Sequence, residues 1–91
     1  MEFEWDSGNG GKNLKKHRVS DQEAEEVFSD PTKVQRPDPF HSGREERFIL
    51  IGKTRSGRLL FTVYTVRRQK IRIISSRNIN QKERGLYEKT T

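Results

Sequence analysis

Apolar and polar residues alternate with a period of two through much of the second half of the chain, and the period changes on either side of it. Over residues 46–53, Phe48 and Leu50 fall on one face, and Arg47, Ile49 and Ile51 on the other. Residues 58–66 are rich in β-branched and aromatic side chains, and residues 70–77 carry Ile71, Ile73 and Ile74. These runs predict three strands. Thr54-Arg55-Ser56-Gly57 turns the chain after the first, and Arg67-Arg68-Gln69 links the second to the third. Both links are too short for a parallel crossover, so the strands form an antiparallel meander.

Upstream, Phe3-Glu4-Trp5 alternates and predicts a short first strand. Asp6 can cap a helix over residues 7–17. Gly8, Gly10 and Gly11 each weaken that helix by about 1 kcal/mol relative to alanine, and Leu14 is its one large apolar residue. Ser20-Asp21-Gln22-Glu23 is a capping box, and Ala24, Val27 and Phe28 give the helix behind it an apolar stripe. Asp30-Pro31 ends it. Residues 33–36 predict an edge strand, and Pro37, Pro39, Ser42 and Gly43 a loop in which His41 is solvated. Asn80, with Glu83 three positions on, caps a last helix that carries Leu86 and Tyr87 and runs to about residue 88. The order β-α-α-β-β-β-β-α is that of an α+β fold: a small antiparallel sheet with two N-terminal helices on one face and a C-terminal helix, in one domain over residues 1–91. The opposite sheet face is left half open.

Arg72 interrupts the isoleucine run of the last strand. A period of two puts Ile71, Ile73, Ser75 and Arg77 on one face and Arg72, Ile74 and Ser76 on the other, so Arg72 and Arg77 are expected to project oppositely. The guanidinium of Arg72 either snorkels to water or a carboxylate, or is held on a rigid strand to meet a phosphate.

Charge changes the picture. The net charge is +6. Residues 1–46 hold 7 Lys/Arg against 11 Asp/Glu, and residues 47–91 hold 12 against 2. So basic a half attracts polyanions, nucleic acid above all, and an arginine-bearing sheet face suits RNA. Lys12, Lys16, Arg67, Lys70 and Arg84 are candidates for backbone contact. With no cysteine, disulfides and thiolate metal sites are excluded. No apolar run approaches the ~18 residues of a membrane span, and the acidic N-terminus is no signal peptide, so a cytoplasmic protein without a membrane partner is expected.

Catalytic constellations are few. His17 and His41 lack ligand spacing, so no metal site and no cofactor is expected. Nucleophile elbow, P-loop and dinucleotide fingerprint are absent. Glu45 and Glu46, adjacent at a strand start, point to opposite faces and form no shared-proton dyad. Metal-free RNA cleavage remains: a group accepts the 2′-hydroxyl proton, cations surround the phosphorane, and the leaving 5′-oxygen gains a proton. His17, Lys16, Glu46, Arg47, Arg72, Arg77 and Tyr87 are the right residue types. A non-catalytic nucleic-acid-binding module is the alternative, since basic strands suffice for phosphate contact.

Trp5-Asp6, Lys12-Asn13, Lys16-His17 and Glu23-Ala24, then Glu45-Glu46-Arg47, Arg72-Ile73-Ile74-Ser75-Ser76-Arg77, Glu83-Arg84 and Tyr87-Glu88, together resemble the BrnT family of type II toxin–antitoxin toxins. Arg18 stands where that family commonly has glycine. The resemblance implies a compact RelE-like endoribonuclease that inhibits translation and growth. It carries over His17, Arg47, Arg72 and Arg77 as site residues, and after them Lys16, Glu46 and Tyr87. It also implies a BrnA-type antitoxin, dimeric through a ribbon-helix-helix domain, that binds operator DNA and neutralises the toxin in a 2:2 complex.

Overall fold

The computed structural model describes residues 1–40, 43 and 45–89. His41 and Ser42 of the expected loop lie outside them. Four strands form one antiparallel sheet in chain order: β1 (Val34–Pro37), β2 (Arg47–Lys53), β3 (Leu59–Arg67) and β4 (Lys70–Asn78). The α+β class and the meander expected from the short links are both observed. Among the described residues three helices accompany the sheet: α1 (Lys12–His17), α2 (Asp21–Glu26), continued by a 3-10 turn over Val27–Ser29, and α3 (Gln81–Glu88). Capping boxes start α2 and α3. The Ser20 and Asn80 side chains accept from the Glu23 and Glu83 amides, and both glutamates reach back to the cap backbone.

The apolar stripe of α2 does what its spacing predicts. Ala24, Val27 and Phe28, with Val19, form one core with Leu50, Leu60, Tyr64 and Ile73 of the sheet. Phe28 is its hub, with edge-to-face contacts to Phe3 and Tyr64 at 5.1 and 5.0 Å. Gly52 lets the 3-10 turn approach β2, since a β-carbon there would lie 2.8 Å from the Val27 carbonyl oxygen. Helix α3 contacts β2.

Three expectations change. Helix α1 starts at Lys12, not at residue 7. Residues 7–11 form turns instead, closed by Gly8 and Gly10 amides donating to the Asp6 side chain and carbonyl, and Gly11 is left-handed at φ 71°. Three glycines in five positions leave too little helix propensity to resist that local bonding. Arg18 closes α1, also left-handed at φ 57°, which is the conformation glycine adopts without strain. The first strand shrinks to one bridge: Phe3 pairs with Ile71 in parallel.

The third change lies in β4. Tyr64 pairs with Ile73 and Val63 with Ser75, so Ile74 is an extra, bulged residue. Beyond a bulge the alternation shifts by one position. Thr65 pairs with Arg72 and Phe61 with Arg77, and these two β3 residues share a face. Arg72 and Arg77 therefore lie on the same face of the sheet, opposite the core, and not on opposite faces as a strict period of two requires.

Candidate active site

The face away from the core carries a row of arginines. Arg47 pairs with Thr65 across β2 and β3, and Thr65 pairs with Arg72 across β3 and β4. Arg67 follows Thr65 by two positions and Arg77 lies opposite Phe61, so all four arginines share this face. Thr65 is buried within the row, its hydroxyl donating to the Glu46 carbonyl at 2.8 Å.

Arg67, Arg72 and Arg77 of the row each meet a carboxylate. Arg72, with a side chain only 14% exposed, donates from Nη1 to Glu4 at 3.0 Å and from Nη1 and Nη2 to Asp6 at 2.9 and 3.1 Å. Three of its five N–H groups are used, and Nε–H and the second Nη2–H have no partner among the described residues. Arg67 grips Glu45 through Nε and Nη2 at 2.5 and 2.9 Å. Arg77 grips Glu83 in a two-point pair at 2.9 and 2.8 Å and covers the Phe61 ring at 4.4 Å. Planar forks meeting carboxylates this way would meet phosphates equally well.

The electrostatics follow. The Arg72 fork, helped by the Gly8 amide, holds the Asp6 carboxyl below its usual range. Arg67 does the same to Glu45, and the fields of Arg47 and Arg72 add to it. For Glu83, burial pushes the carboxyl up, but Arg77 and the Asn80 amide outweigh it. Arg72, Arg67 and Arg77 are held more firmly cationic by these partners, Asp6, Glu45 and Glu83 respectively.

The N-terminal segment positions Arg72. The Glu4 amide donates to the Ile71 carbonyl and the Ile71 amide to the Glu2 carbonyl, which locks this segment on the outer edge of β4. Side chains bond two further points of that edge: Asn9 Nδ2 donates to the Ile73 carbonyl, and the Ser76 amide donates to Asn13 Oδ1.

The remaining expected site residues scatter. The His17 carbonyl accepts from Arg58, which also bonds Asn78, so His17 sits by the far end of β4 from Arg72. Lys12 and Lys16 are exposed on α1, and Arg84 on α3. Lys70 is exposed and reaches Glu2 at 3.9 Å. Glu46 is exposed beside the arginine row, and its neighbour Glu45 is the carboxylate within it. Tyr87 is buried, with its hydroxyl 2.7 Å from both Asp30 Oδ2 and Thr32 Oγ1. Burial and, behind it, the Asp30 charge push the phenol up.

Glu4, Asp6 and Glu45 escaped the sequence reading as site residues. The alternation of Glu4, Trp5 and Asp6 did hint that both acids share a face. Among the described residues, no three His, Asp or Glu side chains group as metal ligands would, and no helix is long and apolar enough to cross a membrane.

The family model for the ribonuclease toxin BrnT, of type II toxin–antitoxin systems, matches residues 5–83. No curated protein matches the chain. The match spans most of the chain, including the Asp6–Arg72 pair, with Glu4 just outside it. This protein belongs to the BrnT family, the ribonuclease toxins of type II toxin–antitoxin systems.

Proposed function

We propose that this chain is a metal-independent endoribonuclease whose substrate lies across the arginine row. The carrying observation is the bulge at Ile74, which gives Arg47, Arg67, Arg72 and Arg77 one common face. The Cα atoms of Arg72 and Arg77 are about 13 Å apart, from four β3 residues at ~3.3 Å each, so the two forks address different phosphates of one strand. Arg47, Arg67 and Arg72 surround the scissile phosphate. A phosphate on Arg67 displaces Glu45 and lets its proton affinity rise toward that of an ordinary carboxylate. Glu45 then accepts the 2′-hydroxyl proton as the 2′-oxygen bonds to phosphorus, the arginines hold the phosphorane charge, and the P–O5′ bond breaks. The 5′-oxygen takes a proton from water, the hydroxide left behind recovers the proton held by Glu45, and a 2′,3′-cyclic phosphate remains. His17, carried over from the family resemblance, is included among the residues to be tested.

Cleavage of this kind in the cytoplasm inhibits translation and growth. A BrnA-type antitoxin, dimeric through its ribbon-helix-helix domain, neutralises the chain in a 2:2 complex and carries the operator-DNA contact. Support for an antitoxin partner comes from the family, whose toxins belong to type II toxin–antitoxin systems.

The test is RNA cleavage by the purified chain and by its Arg47→Ala, Arg72→Ala, Glu45→Gln and His17→Ala variants, with and without EDTA. Cleavage should persist in EDTA, leave cyclic phosphate ends, and fall about 10²–10³-fold without Arg72. Loss in EDTA that one divalent ion restores would overturn the metal-free mechanism. RNA bound but never cut would leave a non-catalytic binding module.

A further inference from the structure

South of the arginine row the same sheet face opens into a groove of about 620 Å³ between the β1 end and α3. Ile49 and Phe61 of the sheet, Leu86 of α3 and Phe40 line it, with Ile51 buried beneath. Phe40 is 89% exposed and Leu86 37%. For a chain with 29% hydrophobic residues, this much apolar surface facing water marks an interaction site.

The charges on the rim select the occupant. The groove's carboxylates are already engaged: Glu83 by Arg77, and Asp38 by the Phe40 amide. Its cations, Arg36 and Lys82, are exposed and have no partner among the described residues. An apolar floor under two unpaired cations fits a peptide segment whose apolar side chains are flanked by carboxylates. It fits an RNA base poorly. Ile49 and Leu86 offer no stacking platform and the Arg77 guanidinium already covers the Phe61 ring, so Phe40 is the groove's one ring open to a base, and a single ring gives a strand no run of stacking sites.

We infer that this groove is the docking surface for the antitoxin, which seats an acidic, apolar segment there beside Arg77 and so blocks RNA from the arginine row. The inference rests on the toxin–antitoxin reading above, and it names the surface that reading leaves open. Apolar anchors in a groove, with charge at the rim, are a recurring mode of peptide recognition.

The chain is co-purified with the protein encoded beside it, and the affinity of that protein is measured for wild type, Phe40→Ala, Leu86→Ala and the Arg36→Glu/Lys82→Glu double variant. RNA cleavage and melting are recorded for the same proteins. At least one of the apolar variants and the charge reversal should each weaken antitoxin binding about tenfold or more. Cleavage and melting should be unchanged, so that growth inhibition escapes neutralisation. Unaltered antitoxin affinity in all three would overturn the inference. So would weakened RNA binding with antitoxin affinity intact, which would assign the groove to RNA. If the chain alone neither cuts RNA nor slows growth, the ribonuclease reading fails, while groove-dependent capture of the co-encoded protein is still read independently.

Discussion

Arg72 and Arg77 share one face of the sheet although five positions separate them on one strand, because Ile74 bulges out of register between them. An odd spacing in an unbroken strand would have sent one of the two into the core. The bulge instead keeps Ile73 and Ser76 on the core side, where they pair with Tyr64 and Thr62, and both guanidiniums on the other. Bulges often serve this re-aiming role beside active sites.

Arg72 is held by Glu4 and Asp6 and has two further N–H groups without a partner among the described residues, so its removal should act twice. Arg72→Ala is expected to cost about 3–4 kcal/mol of transition-state stabilisation in cleavage. It should also lower the melting temperature, since two carboxylates lose their partner. Arg72→Lys should restore the melting temperature better than cleavage, because an ammonium replaces the charge but not the fork. Cleavage rates and thermal melts of the two variants check this. Full activity in Arg72→Ala would take it out of the site.

RNA affinity should fall with salt, with a log–log slope of about −0.7 per phosphate contact on a single strand. Arg47→Ala, Arg72→Ala and Arg77→Ala should each flatten the slope by about that amount. A variant that weakens binding at an unchanged slope positions the strand without touching a phosphate. Binding isotherms from low to physiological salt measure it.

Tyr87 ties α3 to the segment after α2 through Asp30 and Thr32. Tyr87→Phe should cost about 1–2 kcal/mol of stability, because Asp30 keeps its bonds from the Thr32 and Lys53 amides while losing one from a phenol. Cleavage per folded molecule should not change. Denaturant titration gives the first quantity and single-turnover cleavage the second. Selective loss of cleavage in a fully stable variant would place the phenol in the chemistry.

Acid should loosen the fold in a defined window. Glu23, Asp30, Glu45 and Glu83 are all held below their ordinary values by hydrogen bonds or cations. Groups depressed in the folded state add stability above their unfolded values of about 4, and that contribution disappears as pH falls through the lower folded ones. The melting temperature should therefore be nearly flat from pH 7 to pH 5 and drop below about pH 4. Glu83→Gln should start lower at pH 7 and lose less in acid. Melts across this range would expose the opposite trend if it holds.

The sequence by itself determined whatever depends on near neighbours along the chain. The capping residues Ser20 and Asn80 set where α2 and α3 begin, and the Phe48–Leu50 alternation set which side of β2 faces the core. Short links forced the meander, because a parallel crossover needs more chain than they contain. Tertiary pairing decided the rest. The bulge at Ile74 arises from how β4 lies against β3, and a period counted along β4 alone misassigns the face of Arg77. Glu4 meets Arg72 across 68 positions only because the N-terminal segment docks on the β4 edge, and Glu45 meets Arg67 across 22. Local periodicity carries the direction of a side chain relative to its neighbours, but not the identity of the strand beside it. The ion-paired arginine face is therefore a product of the folded sheet.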